Sequence, residues 1–470
     1  MGVKLRAVAP PLAALLTFLA ALSSRVLNDG DTWWHVAAGR LMIDQRAVIH
    51  TDPFSYTFQG APWHTHEWLA QVLLGGAFDL GGWSAVVILT AAAAGLTAWL
   101  LARDLSRWVD GIPLLCLLLL GLALGTGSLL ARPHMLALPI LEVWTAELIR
   151  ARAEDRRPRW IVLPLMALWA NLHGSFMFGL ALIAPFALEA LLAATSALGR
   201  RAVVLGWGAF GIAAAAMAVL SPDGFGTLLF PFQLLRMTGL AHIGEWAPEN
   251  FGTFGPLEAG LLAMLFILFT RPIRLPAIRA ALLLLLIHLS LQHGRYEQML
   301  GVIAALVLAR PMAVGFGQGA DTPERGESLA RAPVSGLAAA ALAVALGVGR
   351  MAVPVVRGDG PDTPVSAVAA TPASIRQTPV LNEYSFGGFL IGQHLRPYID
   401  SRADLYGDPY LEDYARLTRP DPRALGQALD RRRVGWTLFK TGTPVIEAMD
   451  RMPGWRRLYS DRWAVVHVRR

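Results

Sequence analysis

Long apolar segments recur through most of this chain, and short loops rich in arginine separate them. A helix needs about 20 consecutive apolar residues to cross a bilayer. That criterion predicts eleven membrane-spanning helices, near residues 8–26, 83–102, 111–131, 134–149, 160–173, 175–197, 203–221, 256–270, 279–294, 297–313 and 334–353. Only 16% of the residues are charged, whereas soluble proteins carry about 25%. We therefore expect a polytopic α-helical membrane protein.

The basic loops predict how these segments are oriented, because cytoplasmic loops carry an excess of lysine and arginine. With the N-terminus in the cytoplasm, every strongly basic short loop falls on that side, namely Lys4 with Arg6, Arg103 with Arg107, 150–159, Arg200 with Arg201, 271–274 and 321–331. The net charge of +7 then reflects topology, and we expect no nucleic-acid partner. The first segment lacks a small-residue cleavage site, which favours a span over a signal peptide.

Three longer parts fall on the opposite, outer side: a first loop (27–82), a second loop (222–255) and the region after about residue 355. We expect a transmembrane domain over 1–354, a Pro- and Gly-rich linker over 355–375 and a soluble domain over 376–470. Strand-like "TPVLNEY", "RPYIDSRA", "VGWTLFK" and "WAVVHV" accompany a helical "YLEDYARL". This alternation predicts a small α/β domain.

Histidines collect on the predicted outer side. Of 11 histidines, only His288 falls well inside a predicted span, and none lies in a cytoplasmic loop. One explanation is that histidines favour interfaces and that arginine dominates the short inner loops. The other is a shared cavity, since ionisable groups at membrane depth are costly and usually face a cavity or a partner. Its candidate residues are Asp29, Asp31, His35, His64, His66, Glu67, Arg132, His134, Asn171, His173, Glu245, His293 and Arg295.

The first loop is the densest in such groups. In "NDGDTWWHVAAGRLM", Asn28 and Asp29 can cap a helix. An interfacial apolar face is predicted for that helix, formed by Trp33, Trp34, Val36, Ala37, Leu41 and Met42. Asp31 and His35 are four residues apart and share a face. A carboxylate here could act as a catalytic base, or orient and charge an imidazole; capping alone would also account for the acids.

Two explanations are open for His64, His66 and Glu67 in "WHTHEWL". They could bind a divalent metal ion, although they lack the helical spacing of a metalloprotease. They could instead hydrogen-bond to a polar headgroup. Cys116 is the single cysteine, which excludes internal disulfides and cysteine-based metal sites. The sequence implies no firm cofactor.

Further polar groups lie at predicted outer helix ends and in the second loop. "WANLHGSF" supplies Asn171 and His173, "IGEWAPENF" supplies Glu245, and "LQHGRYEQ" supplies His293 and Arg295. A guanidinium suits a phosphate or pyrophosphate, although Arg295 could equally extend towards lipid headgroups. Together with the first loop, these residues predict a carboxylate base, aromatic walls and a cationic phosphate site.

The soluble domain contains "IDSRADLYGD", whose Asp400 and Arg402 follow a strand-like stretch. Residues at strand ends often bind ligands, yet these two could simply form an ion pair that holds the loop. Gly387 and Gly388 are interpreted as a tight turn or a close helix approach, and not as a phosphate loop.

With these residues assembled, the chain resembles the GT-C integral membrane glycosyltransferases. The resemblance rests on an N-terminal helix, a long first outer loop with an acidic pair, many spans and a soluble outer domain. More closely, "DTWWHVAAGRLM", "DPFSYTFQGAPWHTHEWL", "WANLHGSF" and "NEYSFGGFLI" with "PYIDSRADLYGD" resemble a bacterial multi-span glycosyltransferase-like group. The GT-C resemblance implies that an early first-loop acid, here Asp29 or Asp31, is the catalytic base or a metal ligand.

The expected function is sugar transfer from a polyprenyl-phosphate-linked donor to a glycan, lipid or protein acceptor. The expected place is the outer face of the bacterial cytoplasmic membrane, among membrane lipids. Arg295, Arg132 and the histidines would stabilise the departing phosphate. One alternative is a transporter or flippase of a lipid-linked substrate, although such a site is expected near the midplane between inverted repeats. Another is an assembly protein whose soluble domain binds a polymer.

Overall fold

The first two thirds of the chain form a helical bundle. A computed structural model describes residues 5–239, 246–318, 332–419 and 422–470. The bundle and its first loop contain α1 (Leu5–Ala21), α2 (Asp31–Gln45), α3 (Trp68–Leu105), α4 (Gly111–Ala123), α5 (Pro133–Ala153), α6 (Leu163–Leu172), α7 (Phe176–Ala193), α8 (Ala197–Ala218), α9 (Gly226–Leu235), α10 (Pro256–Thr270), α11 (Ala277–Gln292), α12 (Glu297–Gly315) and α13 (Ala332–Ala352). Each predicted apolar segment coincides with one of these helices.

Length and composition identify the helices that can cross a membrane. Within the described ranges, five helical segments are long and apolar enough, namely Trp68–Leu105, Gly111–Ser128, Phe176–Ala193, Ala197–Ala218 and Gly294–Gly315. Shorter apolar helices of 10–17 residues accompany them. The apolar helical bundle is confirmed, while the number of eleven crossings and the orientation stay predictions.

A glycine pair breaks the longest helix, α3. Gly81 and Gly82 have non-helical backbone angles, and Gly82 has a φ of 58°, a conformation that favours glycine. The break separates an arm (68–80) from the apolar continuation of the helix. The arm lies against α2 in such close contact that a Cβ at Gly39 would be 1.8 Å from the carbonyl oxygen of Gln71. The first loop is therefore a packed helical pair.

The C-terminal part contains a small mixed sheet. Its helices are α14 (Val365–Ala370), α15 (Ala373–Arg376), α16 (Gly387–Gly392), α17 (Ala403–Leu417), α18 (Pro422–Arg431) and α19 (Val445–Asp450). Its strands are β1 (Val380–Asn382), β2 (Trp436–Lys440), β3 (Trp455–Ser460) and β4 (Ala464–Arg469). The strand order is β1-β2-β4-β3, with β1 and β2 parallel and the other pairs antiparallel. The small C-terminal sheet is confirmed.

Two local predictions for this part need correction. The stretch 396–403 forms no strand, because side chains bind its backbone: the N–H of Tyr398 donates to the Asn382 side chain at 2.8 Å, and Thr57 donates to the Tyr398 carbonyl at 2.7 Å. Strand β3 was not predicted, since its exposed arginines mask the period-two pattern. The predicted linker also contains α14.

Glycines bring α16 directly onto the start of α2. A Cβ at Gly388 would lie 2.2 Å from the Gly30 carbonyl oxygen, and a Cβ at Gly30 would lie 2.4 Å from that of Ser385. At Gly392 a Cβ would meet the Trp33 ring at 2.3 Å. The close helix approach predicted for Gly388 is confirmed, and it joins the first loop to the C-terminal part.

A buried ion-pair network makes the second connection between these parts. The Arg402 side chain is fully buried and donates to both carboxylate oxygens of Asp400 at 2.7 Å. It also donates to Asp52 of the first loop at 2.7 Å and lies over the Trp63 ring at 4.5 Å. Tyr406 donates to Asp400 at 2.8 Å. Asp400 and Arg402 were interpreted either as a ligand site or as an ion pair that holds the loop. The structure shows the ion pair.

Candidate active site

A cavity of about 1600 Å³ opens between the bundle, the first loop and the C-terminal part. Helix ends and loops that are distant in sequence supply its polar wall. The structure brings nine of the predicted site residues to it, namely Asp29, Asp31, His35, His66, Glu67, Arg132, His134, His173 and Arg295. The first loop thus contributes five of these nine, because α2 and the start of α3 both face the cavity.

Asp29 is buried and fully engaged. Its carboxylate accepts hydrogen bonds from the Thr32 N–H and hydroxyl, both at 2.9 Å, and forms a short ion pair with Arg132. Burial by itself would raise the pKa of Asp29, but Arg132 and Thr32 together hold it below its ordinary value. Arg357 donates to the Asp29 carbonyl at 2.7 Å. Asp29 therefore caps α2 and fixes a guanidinium as an ionised carboxylate.

Arg357 itself is held by aromatic rings. Its guanidinium lies 4.5 Å from the centroid of Trp33 and 5.0 Å from that of Trp83. Burial lowers the pKa of Arg357 to about 10, so the side chain stays charged near neutral pH. A cation that contacts two adjoining indoles thereby supports the turn that carries both first-loop acids.

Asp31 shares Arg132 but is more accessible than Asp29. Its carboxylate lies 3.0 Å from the Arg132 guanidinium, and 16% of its side chain is exposed, against 4% for Asp29. As the first residue of α2 it lines the cavity. One guanidinium therefore holds two carboxylates, of which Asp31 is the more exposed.

His35 shares the cavity-facing side of α2 with Asp31, as the spacing predicted. Its ring lies 3.7 Å from that of Trp34 and is buried. The expectation that a carboxylate charges this imidazole is wrong, because burial and then Arg132 hold the pKa of His35 well below its ordinary value. The Arg132 guanidinium forms ion pairs with both Asp29 and Asp31, and His35 is neutral.

The remaining cationic and imidazole groups surround the cavity. His134 binds the Ser128 carbonyl at 2.8 Å, and its ring lies 6.1 Å from that of His173. Arg295 lies 4.3 Å from the centroid of Trp246, which orients its guanidinium. Together with Arg132, these groups form a surface suited to an anion.

Four predicted site residues do not contribute to the described cavity wall. His64 is exposed and lies 3.4 Å from Asp223. Asn171 accepts from the Trp68 indole at 2.6 Å and donates to two backbone carbonyls, so it anchors helix ends. His293 binds the Trp246 carbonyl at 2.6 Å. Glu245 lies outside the described residues.

Comparisons with known proteins identify the fold through solved structures. No protein-family model and no curated protein sequence matches the chain. The solved structure of the oligosaccharyltransferase AglB from Archaeoglobus fulgidus, in complex with an inhibitory peptide and a dolichol-phosphate, has a TM-score of 0.56 at 11% identity. The alignment covers 99% of this chain and 74% of that one.

A second solved structure is similar over nearly its whole length. ArnT from Cupriavidus metallidurans, bound to undecaprenyl phosphate, has a TM-score of 0.51 at 14% identity, with 97% of this chain and 96% of that one covered. Both neighbours are GT-C membrane glycosyltransferases. The chain has the GT-C fold.

In this GT-C fold the first-loop acids do not fit a metal site. The carboxylate of Asp29 is already used by Thr32 and Arg132, and Asp31 also faces that guanidinium. Among the described residues, no group of three or more His, Cys, Asp or Glu side chains could hold a metal ion, and His64 points away from Glu67 towards Asp223. Arg132 occupies the electrostatic position that a cation would take.

The C-terminal part of the GT-C fold contributes cavity residues that sequence reasoning missed. They are Asp362, Glu383, Tyr384, Ser385, Asp404 and Lys440. Thr443 donates to Glu383 at 3.2 Å, and Lys440 lies 3.5 Å from Asp362. Burial raises the pKa of Glu383 and of Asp404. The motifs "NEYSFGG" and "IDSRADLYGD" were the available signal, because they include four of the six.

Proposed function

We propose that this protein transfers a sugar from a polyprenyl-phosphate-linked donor to an acceptor hydroxyl. We place the reaction at the outer face of the bacterial cytoplasmic membrane. The observation that carries the proposal is the pair of first-loop carboxylates on one guanidinium at a large cavity, with Asp31 the more exposed of the two. The neighbours with this fold were solved with dolichol-phosphate and undecaprenyl phosphate, which supports a lipid-linked phosphate as the donor.

We assign Asp31 as the base. A general base must reach the proton that it removes. Both acids line the cavity, but 16% of the Asp31 side chain is exposed against 4% for Asp29, whose carboxylate accepts two hydrogen bonds from Thr32. Asp31 takes the acceptor hydroxyl proton while the acceptor oxygen attacks the anomeric carbon of the sugar. Asp29 keeps Arg132 in place and is a positioning residue.

The departing phosphate then gains negative charge. Arg132 and Arg295 are fixed cations in the cavity wall, since Asp29 holds the first and the Trp246 ring supports the second. Preorganised cations stabilise charge that develops in the transition state without reorganisation cost. The exposed apolar surface of the bundle suits the lipid tail of the donor.

The test is transfer by the purified protein in lipid nanodiscs, supplied with radiolabelled polyprenyl-phosphate sugars and with cell-envelope glycan and lipid fractions as acceptors. Asp31→Asn should abolish transfer while leaving the protein folded. Asp29→Asn should lower both transfer and stability, because it releases Arg132. Asp44→Asn, at an exposed acid on the same helix, is the matched control.

Three outcomes would contradict the proposal. Wild-type rates in Asp31→Asn would remove the base. Loss of transfer on treatment with a chelator, restored by a divalent ion, would require a metal that this arrangement of residues does not explain. Movement of the lipid-linked donor across the membrane with no transfer to any acceptor would favour the flippase.

A further inference from the structure

The transfer step described above leaves several carboxyl groups in the cavity wall without a role, and Glu67 is one of them. Glu67 immediately precedes α3, and only 12% of its side chain is exposed. Its Oε1 atom lies 3.4 Å from Nε2 of His173 and 3.8 Å from Nε2 of His66. Two imidazoles from different parts of the chain therefore flank one carboxyl oxygen.

Hydrogen-bond direction fixes the tautomer of His173. The Ser175 backbone N–H, which can only donate, lies 3.2 Å from Nδ1 of His173. The Trp169 indole donates to the Ser175 hydroxyl oxygen at 2.9 Å, so that hydroxyl is free to direct its own proton to Nδ1, at 2.8 Å. Nδ1 is thus an acceptor, and the proton of the neutral ring is on Nε2, the atom nearest Glu67.

The other imidazole has the opposite polarity towards Glu67. Nδ1 of His66 lies 3.3 Å from the His64 carbonyl oxygen, which can only accept, so Nδ1 carries the proton. In the neutral ring, Nε2 of His66 is then an acceptor. The Glu67 oxygen thus faces the N–H of His173 at 3.4 Å and an unprotonated nitrogen of His66 at 3.8 Å, an arrangement compatible with a protonated acid.

The electrostatic surroundings of Glu67 agree with that state. The charged and titratable groups that act on it are His66 on its own loop, His173 between α6 and α7, Arg132 before α5, Arg295 before α12 and Asp404 on α17. Burial raises the pKa of Glu67 despite the nearby cations. Burial also holds the pKa of His173 well below its ordinary value, so that ring is neutral.

We propose that Glu67 is the catalytic acid that protonates the departing phosphate, and that His173 is the residue that positions it. The inference rests on the proposed sugar transfer. The acceptor O–H bond breaks and its proton goes to Asp31, while a new bond forms from the acceptor oxygen to the anomeric carbon. The bond from that carbon to the phosphate oxygen breaks, the electron pair stays on the phosphate, and Glu67 supplies the proton.

After this step the polyprenyl phosphate leaves as its monoanion, Asp31 is protonated and Glu67 is ionised. The proton then returns from Asp31 to Glu67 through cavity water, so no further reactant is needed. The location fits the role, because Arg132 and Arg295, which we assign to the phosphate, are among the groups that act on Glu67.

The first experiment is the pH dependence of kcat for transfer in wild type, Glu67→Gln and Glu67→Asp. Wild-type kcat should fall as the pH rises through the pKa of Glu67. In Glu67→Gln, kcat should fall about 100-fold or more, as for removal of a general acid. The fall of kcat with rising pH, which is the alkaline limb of the pH profile, should be absent from this variant. Glu67→Asp should keep the limb with a lower kcat. Glu412→Gln, at an exposed glutamate, is the control.

The second experiment needs no transfer. Undecaprenyl phosphate is the probe, and its Kd for the protein in nanodiscs is measured from pH 5 to 9. Ionised Glu67 should repel the bound phosphate, so the affinity of wild type relative to Glu67→Gln should fall as the pH rises. The titration of the lipid itself is common to both proteins and cancels in the ratio.

Distinct results would overturn the inference. An unchanged limb in Glu67→Gln, or an affinity ratio constant with pH, would remove Glu67 as the acid. His173→Asn should move the limb to a different pH, whereas a purely structural role would lower stability and leave the limb in place. If wild type transfers no sugar, the proposed function fails, while the affinity ratio still decides whether Glu67 faces the phosphate.

Discussion

Replacing Arg402 by methionine tests whether its buried charge holds the first loop against the C-terminal part. The variant keeps the apolar length of the side chain but leaves Asp52 and Asp400, both fully buried, without their cation. Removing one partner of a buried ion pair costs about 3–5 kcal/mol. For a unit of roughly 150 residues, 1 kcal/mol corresponds to about 2–4 °C, so the thermal midpoint should fall by about 6–20 °C.

The assay is thermal unfolding in nanodiscs, followed by near-ultraviolet circular dichroism and by proteolytic cleavage of the C-terminal part. Arg416→Met is the matched control, because Arg416 is 66% exposed and its ion pairs among the described residues are with Asp413 and Glu412 on the surface of α17. Its effect should stay within about 0.5 kcal/mol. A midpoint for Arg402→Met as high as that of Arg416→Met would refute the reasoning.

A triple variant separates charge from packing. Arg402→Met combined with Asp52→Asn and Asp400→Asn removes all three charges, and replacement of a whole buried network by neutral groups is often neutral or stabilising. The triple variant should therefore recover much of the stability lost in the single one. Equal instability of both would attribute the loss to packing.

Three further predictions concern stability. Gly388→Ala should cost about 1–3 kcal/mol in chemical denaturation through overpacking, whereas Gly426→Ala, which has open space around its Cβ, should not. The pKa of Asp29 is below its ordinary value, so the stability that its charge contributes is complete at neutral pH and is lost as the pH falls below about 4. The difference in thermal midpoint between wild type and Asp29→Asn should therefore shrink below that pH. A difference that stays constant with pH would contradict the ionised state assigned to Asp29. Asn171→Leu leaves the Trp68 indole N–H without its partner and should cost about 1–3 kcal/mol, with an unchanged KM for the donor because the side chain does not line the cavity.

The sequence predicted the helices well, because runs of about 20 apolar residues have one stable conformation in lipid. It did not reveal the break in α3 at Gly81 and Gly82, which only the backbone angles show. It also misassigned 396–403, where alternation predicted a strand. The partners of that backbone are the side chains of Thr57 and Asn382, and no local pattern identifies partners so distant.

The sequence predicted many of the residues that line the cavity, but not which of their charged side chains pair with each other. Positive-inside reasoning placed Asp29, Arg132 and His173 on one side, and the cavity contains all three. It could not show that Arg132, about a hundred residues away, pairs with Asp29 and with Asp31, the acid that was expected to charge His35. The C-terminal contribution was missed for the same reason, because no local sequence pattern shows that the C-terminal part faces the first loop.

The union of the first loop with the C-terminal part has a consequence for biosynthesis. Asp52 and Arg402 are 350 residues apart, and ribosomes add about 5–20 residues per second. The first loop therefore emerges roughly 20–70 s before the segment that covers it. During that time Asp52 and the Trp63 indole lack the Arg402 side chain that they contact in the finished protein, and a chain with one cysteine has no internal disulfide to hold the loop. Activity should thus appear only on completed chains, and nascent chains are the form in which chaperones and proteases would find this loop.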